Sequence, residues 1–250
     1  PVRPDVTLTS YILPGCRPAM LVLPGGGFYA LASHEGDPFA IRFMAEGFNA
    51  FVLNYSIGKP KSFFPRPLTD VSAAIVHIRE NAEKYCIDPD KLFVIGSSAG
   101  GYLAGVIGAM WHCDFAKSSP DMEYGANRPN GVILTYGVVS TREDIRCFCF
   151  DNLVTEEYGE EEVSLERYVD EKSAPAFIWH SFPDECVDPR NALVLAEAYV
   201  RAKVPCELHL YPDGQHGIGL GDPEKYPRSS RWTYEAAAWM RGLCAGGGRE

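Results

Sequence analysis

Ser98 stands at the centre of Gly96-Ser97-Ser98-Ala99-Gly100, a G-x-S-x-G pentapeptide that directly follows the apolar run Leu92-Phe93-Val94-Ile95. In this pattern the central serine takes a strained strand-to-helix turn, and the flanking glycines let strand and helix pass close together. Its hydroxyl is then presented at the carboxyl edge of a sheet, at the positive end of a helix dipole, where a developing anion is stabilised. A serine hydroxyl is a poor nucleophile at neutral pH. The chemistry therefore requires a histidine base and a carboxylate that orients it.

Around a turn of this type the chain order is serine, then acid, then histidine. Of the six histidines, His180, His209 and His216 lie beyond Ser98 and the next strand-like run. His209 falls inside the strand-like CELHLYP, and His180 closes AFIWH ahead of every candidate acid. His216 sits in the glycine-flanked loop YPDGQHGIGL, past the last strand, and is the expected base. The loop after AFIWHSF offers Asp184, Glu185 and Asp188. Asp184, at the strand's end, is the preferred acid, because Val187 is then free to turn inward and Asp188 to cap the following helix, with Pro189 at its first position. Asp188 and Glu185 stay open as alternatives. His180, Asp184 and His216 lack a recognised ligand spacing, so no metal is expected.

A second signal precedes the first. Pro24-Gly25-Gly26-Gly27-Phe28 follows the apolar Leu21-Val22-Leu23, and consecutive glycines carry an entropic cost that a purely structural turn does not require. Backbone N–H groups that must approach a substrate oxygen supply a reason. The run matches the HGGG-type oxyanion loop, with Pro24 in place of histidine. The amides of Gly26, Gly27 and Ala99 are expected to converge on one oxyanion. A phosphate loop is disfavoured, because Lys-Ser/Thr is missing from the P-loop pattern and the third glycine of G-x-G-x-x-G is absent. Phe28 and Tyr29 beside the loop are candidate substrate contacts that favour a short acyl group, although Tyr29 also suits simple packing. His34 and Glu35 are read as structural, bracing the loop or starting a helix, and Asp70 as helix scaffolding.

These residues need a framework. Strand-like runs occur at 6–13, 19–24, 49–56, 91–97, 131–139, 176–182 and 206–212, several of them continuously apolar, as in a parallel sheet covered on both faces. Helical patterns fill the gaps at 37–47, 67–85, 100–111, 189–203 and 230–243. Leu68, Val71, Ile75, Ile78 and Ala82 share one helical face. The alternation predicts an α/β fold with one doubly wound sheet and right-handed crossovers. Segments 113–130 and 141–174 interrupt it and are expected to cap or wall a cleft. The tail AGGGRE, 245–250, is expected to be mobile.

Composition narrows the function classes. Across 250 residues, 46% apolar and 22% charged content suits a globular protein with a sizeable core, here read as a single domain. Twenty-three basic against 33 acidic residues give a net charge of −10, which repels phosphate backbones, so nucleic acid is not an expected partner. Eight cysteines without a C-x-x-C pair suit reduced core thiols and a cytoplasmic location. No apolar stretch approaches the roughly 18 residues of a membrane-spanning helix, and no signal peptide is read in a chain that starts at Pro1.

Taken together, PGGGF, HEGDPFA (34–40), GSSAGG, WHSFPDECVDP and GQHGIGL resemble the α/β-hydrolase superfamily, in particular small bacterial esterases similar to acetylxylan esterase and related carbohydrate or feruloyl esterases. The resemblance spans about residues 19 to 243 and implies an eight-stranded, mainly parallel sheet. It also implies cofactor-free hydrolysis of a small-molecule or oligosaccharide ester. It is loose over 141–174. An amide-cleaving enzyme of the aminopeptidase or arylformamidase kind keeps the same triad, and a non-catalytic binding protein on the same scaffold is the remote rival. A homodimer is admissible.

Overall fold

The computed structural model describes residues 3–246. Strands β1 (Thr7–Tyr11), β2 (Arg17–Leu23), β3 (Asn49–Asn54), β4 (Ile87–Ser97), β5 (Gly131–Thr135), β6 (Ala176–Ser181) and β7 (Cys206–Tyr211) form one sheet in the order β1-β3-β2-β4-β5-β6-β7. Only β1, at the edge, runs antiparallel to its neighbour; the other pairs are parallel. Helices α1 (Asp37–Met44), α2 (Arg66–Glu80), α3 (Ala99–Met110), α4 (Arg190–Ala202) and α5 (Trp232–Gly246) complete the fold.

The period of two along each strand sorts the core into two layers. In β2, Ala19, Leu21 and Leu23 face one layer with Leu68, Val71 and Ile75 of α2, Leu103 and Ile107 of α3 and Leu195 of α4. Met20 and Val22 face the other, with Phe39 and Phe43 of α1 and Trp232, Ala236 and Met240 of α5. Covering both faces explains why the strands are apolar without alternation.

The sheet has seven strands among the described residues, against the eight that the resemblance implied. The apolar run 131–139 ends its strand at Thr135, because Tyr136 takes φ 39° and turns the chain. Val138 and Val139 are buried all the same, so their apolar character reflects packing and not pairing. Segment 141–174 holds short 3₁₀ turns at Phe148–Asn152 and Leu165–Arg167 in place of regular elements. Of the tail, Ala245 and Gly246 close α5, and residues 247–250 lie outside the described residues.

Candidate active site

The parallel strands deliver the ends of β2, β4, β5, β6 and β7 to the same carboxyl edge, where α/β sheets place their sites. β4 passes into α3 through Ser98, which is held at φ 52°, ψ −116°, a region that few non-glycine residues adopt. The turn is over-determined. Ser98 N–H donates to Thr135 O at 3.0 Å, Ser98 O accepts from Tyr102 N–H at 3.1 Å, and Ser97 Oγ accepts from Thr135 Oγ1 at 2.7 Å. A Cβ on Gly96 runs into the backbone of Gly100, and one on Gly100 into the backbone of Leu23 and Pro24. Both glycines thus serve close approach, while the positive φ falls on the serine itself.

Ser98 Oγ lies 2.9 Å from His216 Nε2, and His216 Nδ1 lies 2.8 Å from Asp184 Oδ2. The tautomer that satisfies both contacts carries the proton on Nδ1, leaving Nε2 to accept from the serine hydroxyl. Asp184 Oδ1 accepts from the amides of Cys186 and Val187, each at 2.9 Å. Its Oδ2 also accepts from His180 Nε2 at 3.1 Å. Burial works to raise the Asp184 carboxyl, but hydrogen bonds from His180, His216 and Val187 outweigh it and hold the group well below the ordinary carboxylate range. Asp184 is therefore a fixed anion behind the imidazole.

The alternative acids are engaged elsewhere. Asp188 Oδ1 accepts from Arg190 N–H at 2.8 Å at the start of α4 and its carboxylate pairs with the Arg190 guanidinium, while Glu185 is exposed. His209 lies on β7 against Glu207, at 2.7 Å. His180 is not a base toward Ser98; it is fully buried and donates from Nε2 to Asp184 and, at 2.9 Å, to Val187 O. Reading His180 as a strand end ahead of the acid missed that its side chain locks the acid loop. The spacing His180 to Asp184, across a tight loop, was the available signal.

Gly26 and Gly27 border the same cavity as Ser98 and His216. Among the described residues their N–H groups have no intramolecular acceptor, whereas Gly25 N–H donates to Glu35 Oε2 at 2.9 Å. Ala99 opens α3, where the first amides have no intrahelical partner. Gly26 and Gly27 take φ 125° and 62°, which turns the loop back under Ala30 and Tyr29.

Glu35 is 2% exposed and spans two loops. Beyond its bond to Gly25, its Oε1 accepts from Tyr136 Oη–H at 2.7 Å, and Tyr136 Oη accepts from Gly219 N–H at 3.1 Å. Gly219 O accepts in turn from Trp232 Nε1 at 3.1 Å, and the Tyr136 ring packs edge-on against the His216 ring with centroids 5.2 Å apart. The glycine loop and the histidine loop thereby share one anchor. Nothing in the sequence pattern singles out Tyr136, and Glu35 is expected there only as a brace or a helix start.

The cavity has a volume of about 220 Å³. Tyr29, 64% exposed, stands at its mouth with Phe148. Phe28 differs from the expected substrate contact: it is fully buried, edge-on to Tyr102 at 5.9 Å, and does not border the cavity. From the two irregular segments, 141–174 contributes Cys147, Phe148 and Cys149 to the wall, and 113–130 contributes nothing. Asp70 is structural, as expected: its Oδ2 accepts from Ser56 N–H at 2.9 Å and ties α2 to the loop after β3. No group of three or more His, Cys, Asp or Glu side chains is arranged to hold a metal ion among the described residues.

This sheet and this strand-to-helix serine define an α/β-hydrolase. The family profile BD-FAE matches residues 14–199, and the chain belongs to that family. It is 35% identical over 230 residues to "Endo-1,4-beta-xylanase B" of Butyrivibrio fibrisolvens, covering 90% of this chain and 36% of the relative. It is 30% identical over 240 residues to "Acetylxylan esterase" of Xylanibacter ruminicola, covering 91% and 46%. The chain thus spans less than half the length of either curated relative. Among solved structures, the acetyl ester-xyloside bifunctional hydrolase of Caldicellulosiruptor lactoaceticus superimposes with a TM-score of 0.84 at 31% identity, covering 94% of this chain and 87% of that one.

Proposed function

We propose that this protein is a serine carboxylic-ester hydrolase that removes short acyl groups, acetyl foremost, from esters of carbohydrates or small alcohols. The observation that carries the reading is the relay Ser98 Oγ, His216 Nε2, Nδ1, Asp184 Oδ2, with steps of 2.9 and 2.8 Å, opening on a cavity bordered by free glycine amides. His216 takes the proton from Ser98 as Oγ attacks the ester carbonyl. Asp184 holds the imidazole tautomer and stabilises its cation. The amides of Gly26, Gly27 and Ala99 receive the tetrahedral oxyanion, a donor set in which each member is worth about 3 to 4 kcal/mol of transition-state stabilisation. His216 then returns the proton to the departing alcohol, and water repeats the sequence on the acyl-enzyme. None of these steps requires a cofactor.

The acyl preference follows from size. A cavity of about 220 Å³ falls below the roughly 300 Å³ at which drug-sized ligands begin to fit. A cavity of this size suits an acetyl or propionyl group better than a long chain. A sugar alcohol, including an acetylated oligosaccharide, is supported by the acetylxylan esterase and acetyl ester-xyloside hydrolase to which the chain is similar. A cytoplasmic location is supported by eight free thiols; no helix among the described residues is long and apolar enough to cross a membrane. The test is a series of nitrophenyl esters from acetyl to octanoyl, run beside acetylated xylo-oligosaccharides and aminoacyl anilides. kcat/KM is expected to be highest at acetyl or propionyl and to fall at least about tenfold by octanoyl. Rates that rise toward octanoyl, or anilides cleaved faster than esters, contradict the reading.

A further inference from the structure

Three thiols border the cavity and have no part in the ester chemistry: Cys147 and Cys149, from the segment after β5, and Cys186, from the loop after β6. Cys147 and Cys149 are only 6% and 2% exposed, so a reagent meets them through the cavity, whereas Cys186 is open to solvent. The two buried thiols are not equivalent. A hydrogen bond from the Cys149 side chain is the largest influence on the Cys147 thiol. Burial opposes it, the Cys149 amide, His216 and Arg146 add to it, and the net effect holds Cys147 down to about 7. Cys149, which gives its proton to that bond and is deeply buried, is pushed well above its ordinary value.

The groups that face Cys147 are Cys149 and Arg146 from its own segment, His216 from the loop after β7 and Cys186 from the loop after β6. Asp151 and Glu160, acidic residues of the same segment, are paired with Arg146 at 2.6 and 2.7 Å. A thiolate is the nucleophilic form of cysteine, and exchange with disulfides is fastest when the attacking thiol titrates near the ambient pH.

We propose that Cys147 is a covalent modification site inside the acyl cavity, which takes a low-molecular-weight disulfide by exchange and so closes Ser98 to esters. The closing of the cavity rests on the hydrolase reading above; the reaction at sulfur does not. In the step, the Cys147 thiolate attacks one sulfur of the disulfide RSSR, a new S–S bond forms, the old one breaks, and RS⁻ leaves and takes a proton from water. Cys147 is oxidised to the mixed disulfide as one RS group is reduced to thiol. The added group occupies the space in front of Ser98 Oγ. A free thiol reverses the exchange and restores the cavity.

The test uses bis(2-hydroxyethyl) disulfide on the whole protein, with two readouts: adduct mapping by peptide mass, and labelling of Ser98 by a fluorophosphonate. The expected result is an adduct on Cys147 and not Cys149, formed at a rate that rises through a midpoint near 7, matching the Cys147 thiol. Fluorophosphonate labelling and acetyl-ester turnover, each relative to the untreated variant, are expected to fall at least about tenfold and to return with dithiothreitol. Cys147→Ser, or Cys147→Ala should the serine variant not fold, is expected to lose sensitivity, and Cys186→Ser to keep it. Absence of a Cys147 adduct, undiminished labelling of an enzyme fully modified at Cys147, or sensitivity that survives in the Cys147 variants overturns the proposal. If Ser98 never labels in untreated protein, the hydrolase reading fails; the adduct map still decides whether Cys147 is the reactive thiol.

Discussion

At the residue scale the site is a set of charges and donors held before any substrate arrives. Asp184 accepts two amides and two imidazole N–H groups. Asp184→Asn removes the anion and offers the wrong tautomer to His216, and kcat is expected to fall by about 10³ to 10⁴ with little change in KM. The same carboxylate makes a pH signature. Its folded value is depressed, so its contribution to stability is complete above the unfolded value, near 3.9, and is lost as the pH falls from there toward the folded value. Urea unfolding should therefore show a wild-type advantage over Asp184→Asn at pH 7 that narrows below about pH 4. Tyr136→Phe strips the shared anchor from Glu35 and Gly219, and a loss of about 1–3 kcal/mol is expected for the groups left unpaired. kcat is expected to drop with it, because both loops loosen; unchanged stability and rate contradict this role. Ser98, His216 and Asp184 were legible as residue types in loops that follow strands. Tyr136 and His180 were not, because an aromatic and a histidine in apolar strand ends look like core, and their roles depend on loops distant in sequence.

At the scale of elements, the turn between β4 and α3 works because two backbones touch. Gly100→Ala places a methyl against the carbonyl of Leu23, where no flexible side chain can give way, and a cost of at least about 3 kcal/mol or failure to fold is expected. Gly242→Ala on α5 meets nothing within 4 Å and is expected to be neutral or to stabilise by up to about 1 kcal/mol. Thermal or urea melts of the pair separate close approach from simple backbone freedom; equal effects contradict the packing account. All seven strand-like runs and five helical patterns correspond to elements, since apolar runs and helical periodicity survive burial on both faces. Their ends were less legible. The apolar character of 131–139 continues past Thr135 although the strand ends there, because burial alone keeps Val138 and Val139 apolar. The segment 141–174 has no period to read, being built of loops and two 3₁₀ turns, and so its three cavity residues could not be singled out.

At the scale of the whole molecule, the sheet gathers residues from positions 26 to 219 onto one edge. The order of strands, with β2 and β5 on either side of β4, sets the glycine loop and the Tyr136 turn beside Ser98. The outer β6 and β7 bring in Asp184 and His216. The eighth strand implied by resemblance is not found among the described residues, a difference at the periphery that leaves this edge intact. Everything proposed for the reaction depends on Ser98 Oγ becoming the acylated atom. The most direct measurement is peptide mass mapping of the acetyl-ester reaction quenched in acid, paired with turnover by a folded Ser98→Ala variant. An acetyl adduct on Ser98 and a loss of kcat of about 10⁴-fold or more in the variant are expected. An adduct on Ser97 or elsewhere, or turnover close to wild type in Ser98→Ala, contradicts this role of Ser98.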